Sequence, residues 1–475
     1  MKMNQHNMKK NIVTVMALFL PFTLTFTGCK KDFIDRSDPT RLYAGDAVNS
    51  VASLNSAVTA AYGTLMPSYN NGQNGIQLFG DVASDNTTTQ IGGTGSQIVD
   101  RFIFDASYIG FSQFWNSAYR SIAECNIILS RGPKITMDAT LQNRYLAEAK
   151  FIRALNYFNL VRIFGDVPLI TAELADYKDA YSYGRKPVAD VYAQIVKDLT
   201  EASTILPATY TGADIGRVTS GAARGILGKV YLTQGKYAEA LTALTSVITS
   251  NTYNLLPNFN DVFSPANEMN KEIIFAVRYA RGGLGLGSSF GYSMTGGNFN
   301  NEMPEFGSLY DSSDKRKAIS AVPDAVGPQY HCNKFIDPTP TSLGDYENDW
   351  IVLRYADVLL MQAEALNELN RTLEAEPYLT QVRQRAGLTP LLALSQVDFR
   401  LAVEKERRLE LALEAHRWFD LVRTNRAVTV MNAHFAANAA FYGGTTYTVK
   451  PTQVLFPIPL TEIQINPKLA QNAGY

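Results

Sequence analysis

The spacing of apolar residues along this chain predicts a succession of amphipathic helices. From residue 46 apolar residues recur every three or four positions as far as Leu65, which is the period of a helix with one buried face. The same period predicts eight further helices, over about 111–130, 141–164, 187–207, 220–233, 237–249, 350–369, 373–386 and 396–424. Fold class is therefore predicted as mainly α.

Two of the predicted helices are joined by a very short turn. Leu232, Gly235, Tyr237 and Ala240 form the pattern L-x-x-G-x-Y-x-x-A, which resembles the turn of a tetratricopeptide repeat. Glycine permits the tight turn, and the small alanine lets the two helices approach. A weaker copy follows at 351–386, where Asn370 replaces the glycine and tolerates the same left-handed backbone. The chain is thus predicted to stack helical hairpins, each packed on its neighbour.

Four regions lack a helical period. Residues 68–97 and 281–346 are rich in Gly, Asn, Ser and Thr and predict long loops, and long loops in compact chains are usually functional. Residues 272–279 predict a strand, so few short strands are expected overall. Residues 454–475 carry three prolines and predict an extended end.

The first residues have the order of a bacterial lipoprotein signal. Lys2, Lys9 and Lys10 precede an apolar run from Ile12 to Phe26, and the run ends in Thr27-Gly28-Cys29. The run is too short for a spanning helix, which needs roughly 20 residues. We expect residues 1–28 to be a signal peptide, lipid to be attached at Cys29, and residues 29–41 to form a tether. The alternative is an ordinary signal peptide with a coincidental cysteine.

Composition excludes several classes of function. The chain has 43 Lys and Arg against 44 Asp and Glu, so there is no basic excess for nucleic acid. Two cysteines follow Cys29, Cys125 and Cys332, and two free buried thiols are favoured over a single disulfide. No HExxH or CxxC motif accompanies the histidines, so neither a metal site nor a cofactor is expected.

Two motifs resemble catalytic or nucleotide-binding signatures. The run Gly282–Gly287 lacks the third glycine and the following helix of a dinucleotide-binding loop, so it predicts a surface loop. Glu406, Glu410 and Glu414 share one helix face. Paired carboxylates are the catalytic groups of glycoside hydrolases, so a secreted hydrolase is an alternative function. Arginines alternate with these acids, which favours Arg–carboxylate locking of the helix to its neighbours.

The two long loops combine aromatic rings with amides and carboxylates. Aromatic rings stack on the CH faces of sugars, and amides and carboxylates pair with sugar hydroxyls. The alternative is a set of generic polar loops with anchoring tyrosines. The candidate ligand-binding residues are Tyr69, Asn74, Asp85, Asn86, Phe290, Tyr292 and Tyr310.

Several ordered blocks resemble the SusD/RagB family of Bacteroidetes surface lipoproteins. They are FWNSAYRSIAECN (114–126), AEAKFIRALNYFNLV (147–161), GRVTSGAA (216–223), LRYADVLLMQAEAL (353–366), VRQRAG (382–387), the segment 406–423 and the terminal segment 455–475. The resemblance covers nearly the whole chain.

The resemblance implies a fold and a function. The fold is a single SusD-like domain over 42–475, with an N-terminal part at 42–265 and a C-terminal part at 266–475, in which tetratricopeptide-like hairpins support a loop-rich binding face. The implied function is non-catalytic: capture of oligosaccharides or polysaccharides at the cell surface, and delivery to a SusC-like TonB-dependent outer-membrane transporter. The resemblance implies that the protein acts as a hinged lid on this transporter. The alternatives are a lid that captures peptides, or a scaffold that binds only protein. The tryptophans Trp115, Trp350 and Trp418 lie in or beside the scaffold blocks, so an aromatic platform has to come from loop Tyr and Phe.

Overall fold

Helices follow the predicted order through most of the chain. The computed structural model describes residues 48–70, 74–89, 95–295, 300–325 and 327–475. Within these residues the α-helices are α1 (Val51–Gly63), α2 (Met66–Tyr69), α3 (Ser96–Asp100), α4 (Ile109–Arg131), α5 (Ala139–Phe164), α6 (Val188–Ile205), α7 (Ser220–Thr233), α8 (Tyr237–Ile248), α9 (Phe290–Thr295), α10 (Lys317–Ser320), α11 (Tyr355–Glu368), α12 (Thr372–Arg385), α13 (Gln396–Glu410), α14 (Arg417–Arg423), α15 (Ala427–Ala437) and α16 (Leu460–Ile465). The mainly α prediction is confirmed.

Local signals in the sequence determine where the long helices begin and end. The Asp138 carboxylate accepts a hydrogen bond from Leu141 N at 2.8 Å and caps the start of α5. The helix ends at Gly165, whose φ of 73° only glycine adopts at low cost. Consecutive helices α4 to α8 pack side by side, and α11 then packs on α8, α12 and α13. The core therefore runs continuously between the hairpins.

The two hairpin turns have the backbone that their residue types predict. Gly235, between α7 and α8, has a φ of 69°, and Asn370, between α11 and α12, has a φ of 60°. Both lie in the left-handed region, where asparagine is the most tolerated residue after glycine. The interpretation of Asn370 as the counterpart of Gly235 is confirmed.

Short strands form one buried ribbon and two small sheets. The eight strands of the described segments are β1 (Thr87–Thr88), β2 (Val167–Pro168), β3 (Arg185–Lys186), β4 (Ile273–Val277), β5 (Asn301–Glu302), β6 (Val322–Pro323), β7 (Tyr330–His331) and β8 (Trp350–Arg354). Antiparallel β4 and β8 pair Ile273 with Arg354 and Val277 with Trp350, and every residue of both is buried. The prediction of helix from residue 350 is therefore wrong for the first five residues, whose apolar run fits a buried strand equally well.

The predicted helix at 396–424 is interrupted. Residues 411–415 form turns in which Leu413 and Ala415 have left-handed φ values of 56° and 58°. The close approach of Gly80 explains the interruption, since a Cβ there would lie 2.4 Å from the Ala415 carbonyl oxygen. Asp81 Oδ2 accepts a hydrogen bond from Ala415 N at 3.0 Å. A distant segment thus breaks a helix that its own sequence favours.

The first predicted loop is largely an interior segment. Its residues 76–89 are buried throughout, include a short π-helical turn at Leu78–Val82, and end in β1. β1 pairs with β5 at the edge of a four-stranded sheet of order β1-β5-β7-β6. The loop prediction is wrong here because the segment packs inside the fold, where Asp85 and Asn86 pair with arginines.

The C-terminal segment closes the fold along α5. It contains α16, so it is only partly extended as predicted. Asn472 Nδ2 donates to the carbonyl oxygens of Phe164 at 3.0 Å and Phe456 at 2.7 Å. Phe456 packs edge-on against Phe79 in the core, at 5.0 Å between ring centroids.

Predictions about buried residues are confirmed. Trp115, Trp350 and Trp418 are 3%, 1% and 0% exposed, so none forms a surface platform. Cys125 and Cys332 are free and buried.

The terminal predictions fall outside the described residues. Residues 1–47, with the signal peptide, Cys29 and the tether, are not among them. Residues from Val48 to Tyr475 form a single compact unit, and the division near residue 265 stays a prediction. No helix of the described segments is long and apolar enough to cross a membrane.

Candidate functional site

Three of the candidate ligand-binding residues pack in the core. Tyr69, Phe290 and Tyr310 are 3%, 0% and 4% exposed. Tyr69 Oη accepts a hydrogen bond from Asn159 Nδ2 at 2.8 Å, and Tyr310 Oη donates to the Leu409 carbonyl oxygen at 2.9 Å. Burial raises the pKa of Tyr69 to about 12, so the hydroxyl stays protonated. Their assignment as surface ligand contacts is corrected, because these rings fill the space beneath the loops.

Asp85 and Asn86 are structural rather than ligand-facing. Asp85 pairs with Arg417 at 2.8 Å and with Arg408 at 3.0 Å, and Asn86 Oδ1 accepts from Arg408 Nε at 2.7 Å. Burial alone would raise the pKa of Asp85, but the Arg408 and Arg417 guanidiniums hold it well below its ordinary value. These side chains attach the first loop to α13 and α14, so their assignment to ligand binding is also corrected.

The other two candidates lie where the two predicted loops meet. Asn70 Oδ1 accepts a hydrogen bond from Ser289 N at 2.6 Å, and the Asn70 carbonyl oxygen accepts from Ser289 Oγ at 3.0 Å. Asn74 follows four residues after Asn70, and Tyr292 three residues after Ser289; both are partly exposed. We call the surface around this junction, with Asn70, Asn74 and residues 281–292, the loop face. Tyr292 and Asn74 stay predicted ligand contacts on it.

A second group of loop residues projects beside this junction. The Asp345 carboxylate accepts hydrogen bonds from Gly282 N at 3.0 Å and Gly283 N at 2.9 Å, which holds the tip of one loop against the other. Leu284 and Leu343 on these loops are 81% and 72% exposed. These exposed leucines were not predicted, because the candidate residues were chosen among aromatic, amide and carboxylate side chains. The prediction that Gly282–Gly287 forms a surface loop is confirmed.

Beneath the loops lies a layer of buried polar groups. Glu302 is fully buried, and neither of its carboxyl oxygens has a hydrogen-bond partner among the described residues. Burial raises its pKa well above the ordinary value, although Lys334 opposes the shift. Asp81 is similar, with a pKa that burial raises to about 8. Burial thus favours the neutral form of both acids.

Glu406 and Glu410 of α13 and Glu414 of the following turn form a closed ion-pair cluster with Arg316 and Arg354. Glu410 accepts from Arg316 at 2.9 Å and from Arg354 at 2.5 Å, and Arg385 also bonds it. Glu406 pairs with Arg316 at 2.6 Å, and Glu414 with Arg354 at 2.7 Å. The predicted Arg–carboxylate locking is confirmed.

This cluster has no access to a substrate. Glu410 and Arg316 are 0% exposed, and each carboxylate oxygen of Glu410 has an arginine partner. Burial raises the pKa of Glu410, but the surrounding Arg385, Arg354 and Arg316 hold it well below the usual range. A general acid needs a raised pKa and an open approach, and Glu410 has neither. No group of His, Cys, Asp and Glu among the described residues is arranged to hold a metal ion.

Two grooves have walls that include none of the residues of the loop face. The first, of about 520 Å³, runs along α4, and we call it the α4 groove; its walls include Trp115, Tyr119, Ile122, Ile170, Ile465 and Leu469. The second, of about 570 Å³, lies between the loop 208–219 and the segment 252–274, and we call it the hairpin groove. Neither was predicted, because their walls join segments far apart in sequence.

Family models match both halves of the chain. The model described as "SusD family" matches residues 306–475, and the model described as "Starch-binding associating with outer membrane" matches residues 32–232. Together they cover most of the chain, in the order of the blocks that carried the resemblance.

Individual relatives match along nearly their whole length. "SusD-like protein P25" of Formosa agariphila is 29% identical, with 98% of this chain and 99% of the relative aligned. A solved "Laminarin binding SusD-like protein" is 28% identical with a TM-score of 0.78, covering 90% of this chain and 100% of the other. A SusD homologue from Bacteroides thetaiotaomicron shares the fold with a TM-score of 0.81 at 23% identity, covering 92% and 100%.

Proposed function

This chain belongs to the SusD/RagB family, and from that premise we propose that it is a non-catalytic cell-surface protein that captures oligosaccharides or polysaccharides and delivers them to a SusC-like TonB-dependent transporter. One observation carries the proposal: two loop regions more than 200 residues apart in sequence are joined, through Asn70 and Ser289, into one surface on the helical scaffold. A relative named for laminarin binding supports the ligand class. The burial of Glu406 and Glu410 supports binding without catalysis.

The loop face supplies the chemistry that a sugar requires. Tyr292 offers an aromatic ring beside the junction, and Asn74, whose Nδ2 donates to Gln113 Oε1 at 2.7 Å, offers an amide. Aromatic rings stack on sugar CH groups, and amides pair with adjacent hydroxyls. The tryptophans are buried, so the proposed contacts come from tyrosine and amide side chains.

Glycan binding at the loop face is tested by substitution. We expect Tyr292→Ala to weaken glycan binding about tenfold, a free-energy loss of about 1.4 kcal/mol, and Asn74→Ala to weaken it less. Binding is measured by glycan array and then by calorimetry on the protein purified from membranes. Tyr378→Ala, which removes a partly exposed tyrosine from α12, is the matched control and should leave affinity unchanged.

Two results would contradict this assignment. If no glycan on the array binds the native protein, the proposed function is wrong. If Tyr292→Ala lowers both the melting temperature and the affinity, the loss of binding follows from loss of the fold and the ring is structural.

The transporter partnership extends the proposal to the cell surface. Lipid at Cys29 would hold the protein at the outer membrane, and the tether of residues 29–41 would let it move as a lid. Purification of the native protein in mild detergent should recover a β-barrel partner of transporter size. Recovery of the protein without such a partner, from membranes that contain the transporter, would overturn the lid assignment.

Peptide capture is a second candidate, and the α4 groove favours it. Its walls are mainly apolar, and Glu462 at the groove has no hydrogen bond or ion pair from its carboxyl group among the described residues. Apolar walls with a carboxylate suit a peptide with an apolar side chain and an amine better than a sugar. A peptide library decides: Ala123→Trp, an exposed position lining this groove, should abolish peptide binding and spare glycan binding.

A further inference from the structure

The hairpin groove separates two parts of the helical scaffold. Its first wall is the loop 208–219 between α6 and α7, and its second wall is the segment 252–274 that leads into β4. Tyr253 and Ile273, 7% and 4% exposed, form its base. A volume of about 570 Å³ is within the range of small-molecule sites.

Ion pairs hold the first wall in place. Asp214 pairs with Arg217 at 2.8 Å and with Arg144 at 3.1 Å, and Arg217 pairs with Glu148 at 2.8 Å. Val218 N donates to Tyr62 Oη at 3.0 Å, which attaches the end of the loop to α1. A loop with these partners is already ordered before any ligand binds, and preorganisation lowers the cost of binding.

Hydrogen bonds hold the second wall equally firmly. Asn270 Nδ2 donates to the carbonyl oxygens of Asn267 at 2.9 Å and Val262 at 3.1 Å. Asn254 N donates to the Lys271 carbonyl oxygen at 3.0 Å. Tyr253 Oη and Thr219 Oγ1, 2.7 Å apart, link this wall to the first wall at the base of the groove.

The groove presents an aromatic ring among hydroxyl, amide and amine groups. Tyr210 is partly exposed, and the Arg144 guanidinium lies 5.5 Å from its ring centroid. Tyr210 lines the groove, and its hydroxyl oxygen is buried with no hydrogen-bond partner among the described residues. Exposed polar side chains surround it: Thr209, Thr211, Asn267 and Lys271.

This mixture distinguishes the hairpin groove from the α4 groove. Arg217 in the lining is paired with Asp214 and Glu148, so Lys271 is the charged lining residue without an ion pair among the described residues. A tyrosine ring flanked by hydroxyls, an amide and one ammonium matches an uncharged sugar, which needs a stacking surface and many weak polar partners.

The position of the groove relative to the loop face follows from β4. Ile273 at the start of β4 lines the groove, and Tyr279, two residues after the strand ends, donates from Oη to the Met66 carbonyl oxygen at 2.8 Å, beside the loop face. Six residues of extended chain span roughly 20 Å. A glycan chain of several sugars is long enough to reach from one surface to the other.

We propose that the hairpin groove is a second oligosaccharide-binding site, which holds an uncharged stretch of the same glycan that the loop face captures. The inference rests on the proposed function and extends it to two sites. Binding at two sites on one scaffold raises the affinity for long chains above that for short ones, because the second contact is intramolecular.

The number of bound short oligosaccharides tests the proposal. Calorimetry of the native protein with a short oligosaccharide identified on the glycan array should give two bound per protein. Tyr210→Ala and Tyr292→Ala should each leave one, and the double variant none. Tyr210→Phe is the matched control, since it keeps the ring and removes only the unpartnered hydroxyl; it should leave two. Tyr210→Ala should also weaken binding of the full-length polysaccharide at least tenfold.

The outcomes separate the two proposals. One bound oligosaccharide that Tyr292→Ala removes and Tyr210→Ala spares overturns the second site and leaves the proposed function intact. No bound glycan at all overturns the proposed function. Should Tyr210→Ala fail to fold, Ala208→Trp replaces it, because this exposed position lines the groove and a bulky ring there should block it. Two bound oligosaccharides in that variant overturn the second site.

Discussion

Glu410 lies among three guanidinium groups in the interior of the protein. Arg316, Arg354 and Arg385 all donate to it, and its carboxylate is 0% exposed. Burying this many charges is favourable only while each has its partners, because the low-dielectric interior penalises an unpaired charge heavily. The carboxylate therefore acts as a fixed counter-charge that joins α12, α13 and β8.

Removal of this one charge should destabilise the whole fold. We expect Glu410→Gln to lower the free energy of unfolding by about 3–5 kcal/mol, because three guanidiniums lose their shared anion. Urea denaturation measures the loss. Glu374→Gln, which disrupts the exposed pair with Arg371, should change stability too little to measure. Equal effects of the two substitutions would contradict the role assigned to the cluster.

Asp81 should make the stability of the fold fall as the pH rises. Burial raises its pKa to about 8, whereas an unfolded aspartate titrates near 4. Between about pH 4 and 8 the unfolded state releases a proton that the folded state keeps, so the contribution of Asp81 to stability falls as the pH rises. Below pH 4 both states are protonated and the effect vanishes.

An uncharged isostere should remove this cost. We expect Asp81→Asn, which keeps an acceptor for Ala415 N, to raise the free energy of unfolding at pH 7.5 by on the order of 3 kcal/mol, with a gain that shrinks towards zero near pH 4. Denaturation curves at several pH values measure it. Asp190→Asn, at an exposed position of α6, should show no such trend. A gain that is constant with pH would contradict the titration of Asp81.

Residue identity alone did not reveal these environments. Tyr69, Asp85, Asn86, Phe290 and Tyr310 have the types expected of ligand-binding loops, and all five are buried. Polar side chains in a Gly- and Asn-rich segment look exposed until their partners are known. Asp85, for example, pairs with Arg408 and Arg417, which lie more than 320 residues away in sequence.

At the scale of elements, the hairpins depend on small residues between helices. A Cβ at Gly228 of α7 would lie 2.6 Å from the Leu244 side chain of α8, and one at Gly225 would lie 2.4 Å from Leu353 of β8. The helix α7 therefore tolerates glycine, at some cost in helix propensity, because its neighbours approach closely.

Alanine should destabilise this interface despite its higher helix propensity. Gly228→Ala gains about 1 kcal/mol of propensity but overpacks the contact with Leu244, and we expect a net loss of about 1–2 kcal/mol. Gly63→Ala is the control, since a Cβ at the end of α1 meets nothing within 4 Å and should be neutral or stabilising. Thermal denaturation compares the two. Stabilisation by Gly228→Ala would contradict the tight packing of α7 against Leu244 of α8.

Elements with strong local signals were predicted well from sequence. The ends of α5, the turn at Gly235 and its counterpart at Asn370 follow from capping and left-handed residue types. Elements that depend on distant contacts were not. Residues 350–354 became a strand because β4 was available to pair with them, and residues 411–416 left the helix because Gly80 and Asp81 pack there.

At the scale of the whole molecule, Cys29 has the clearest expected effect. Residues 48–475 form a single compact unit, so loss of the lipid should not unfold the scaffold. We expect Cys29→Ser to release the protein from the outer membrane, with an unchanged melting temperature. Fractionation at high salt measures the release. A Ser variant that still sediments with the membrane would contradict lipid attachment at this residue.

The sequence by itself determined the family, the helical scaffold, the hairpin turns and the buried tryptophans. Those features depend on residue periodicity and on local backbone preferences, which neighbouring residues carry. Only the tertiary structure decided that the first loop is interior, that the α13 glutamates share their arginines, and that two grooves open between remote segments. Burial, ion pairing and cavity shape depend on which distant segments meet, and no local pattern in the chain records that.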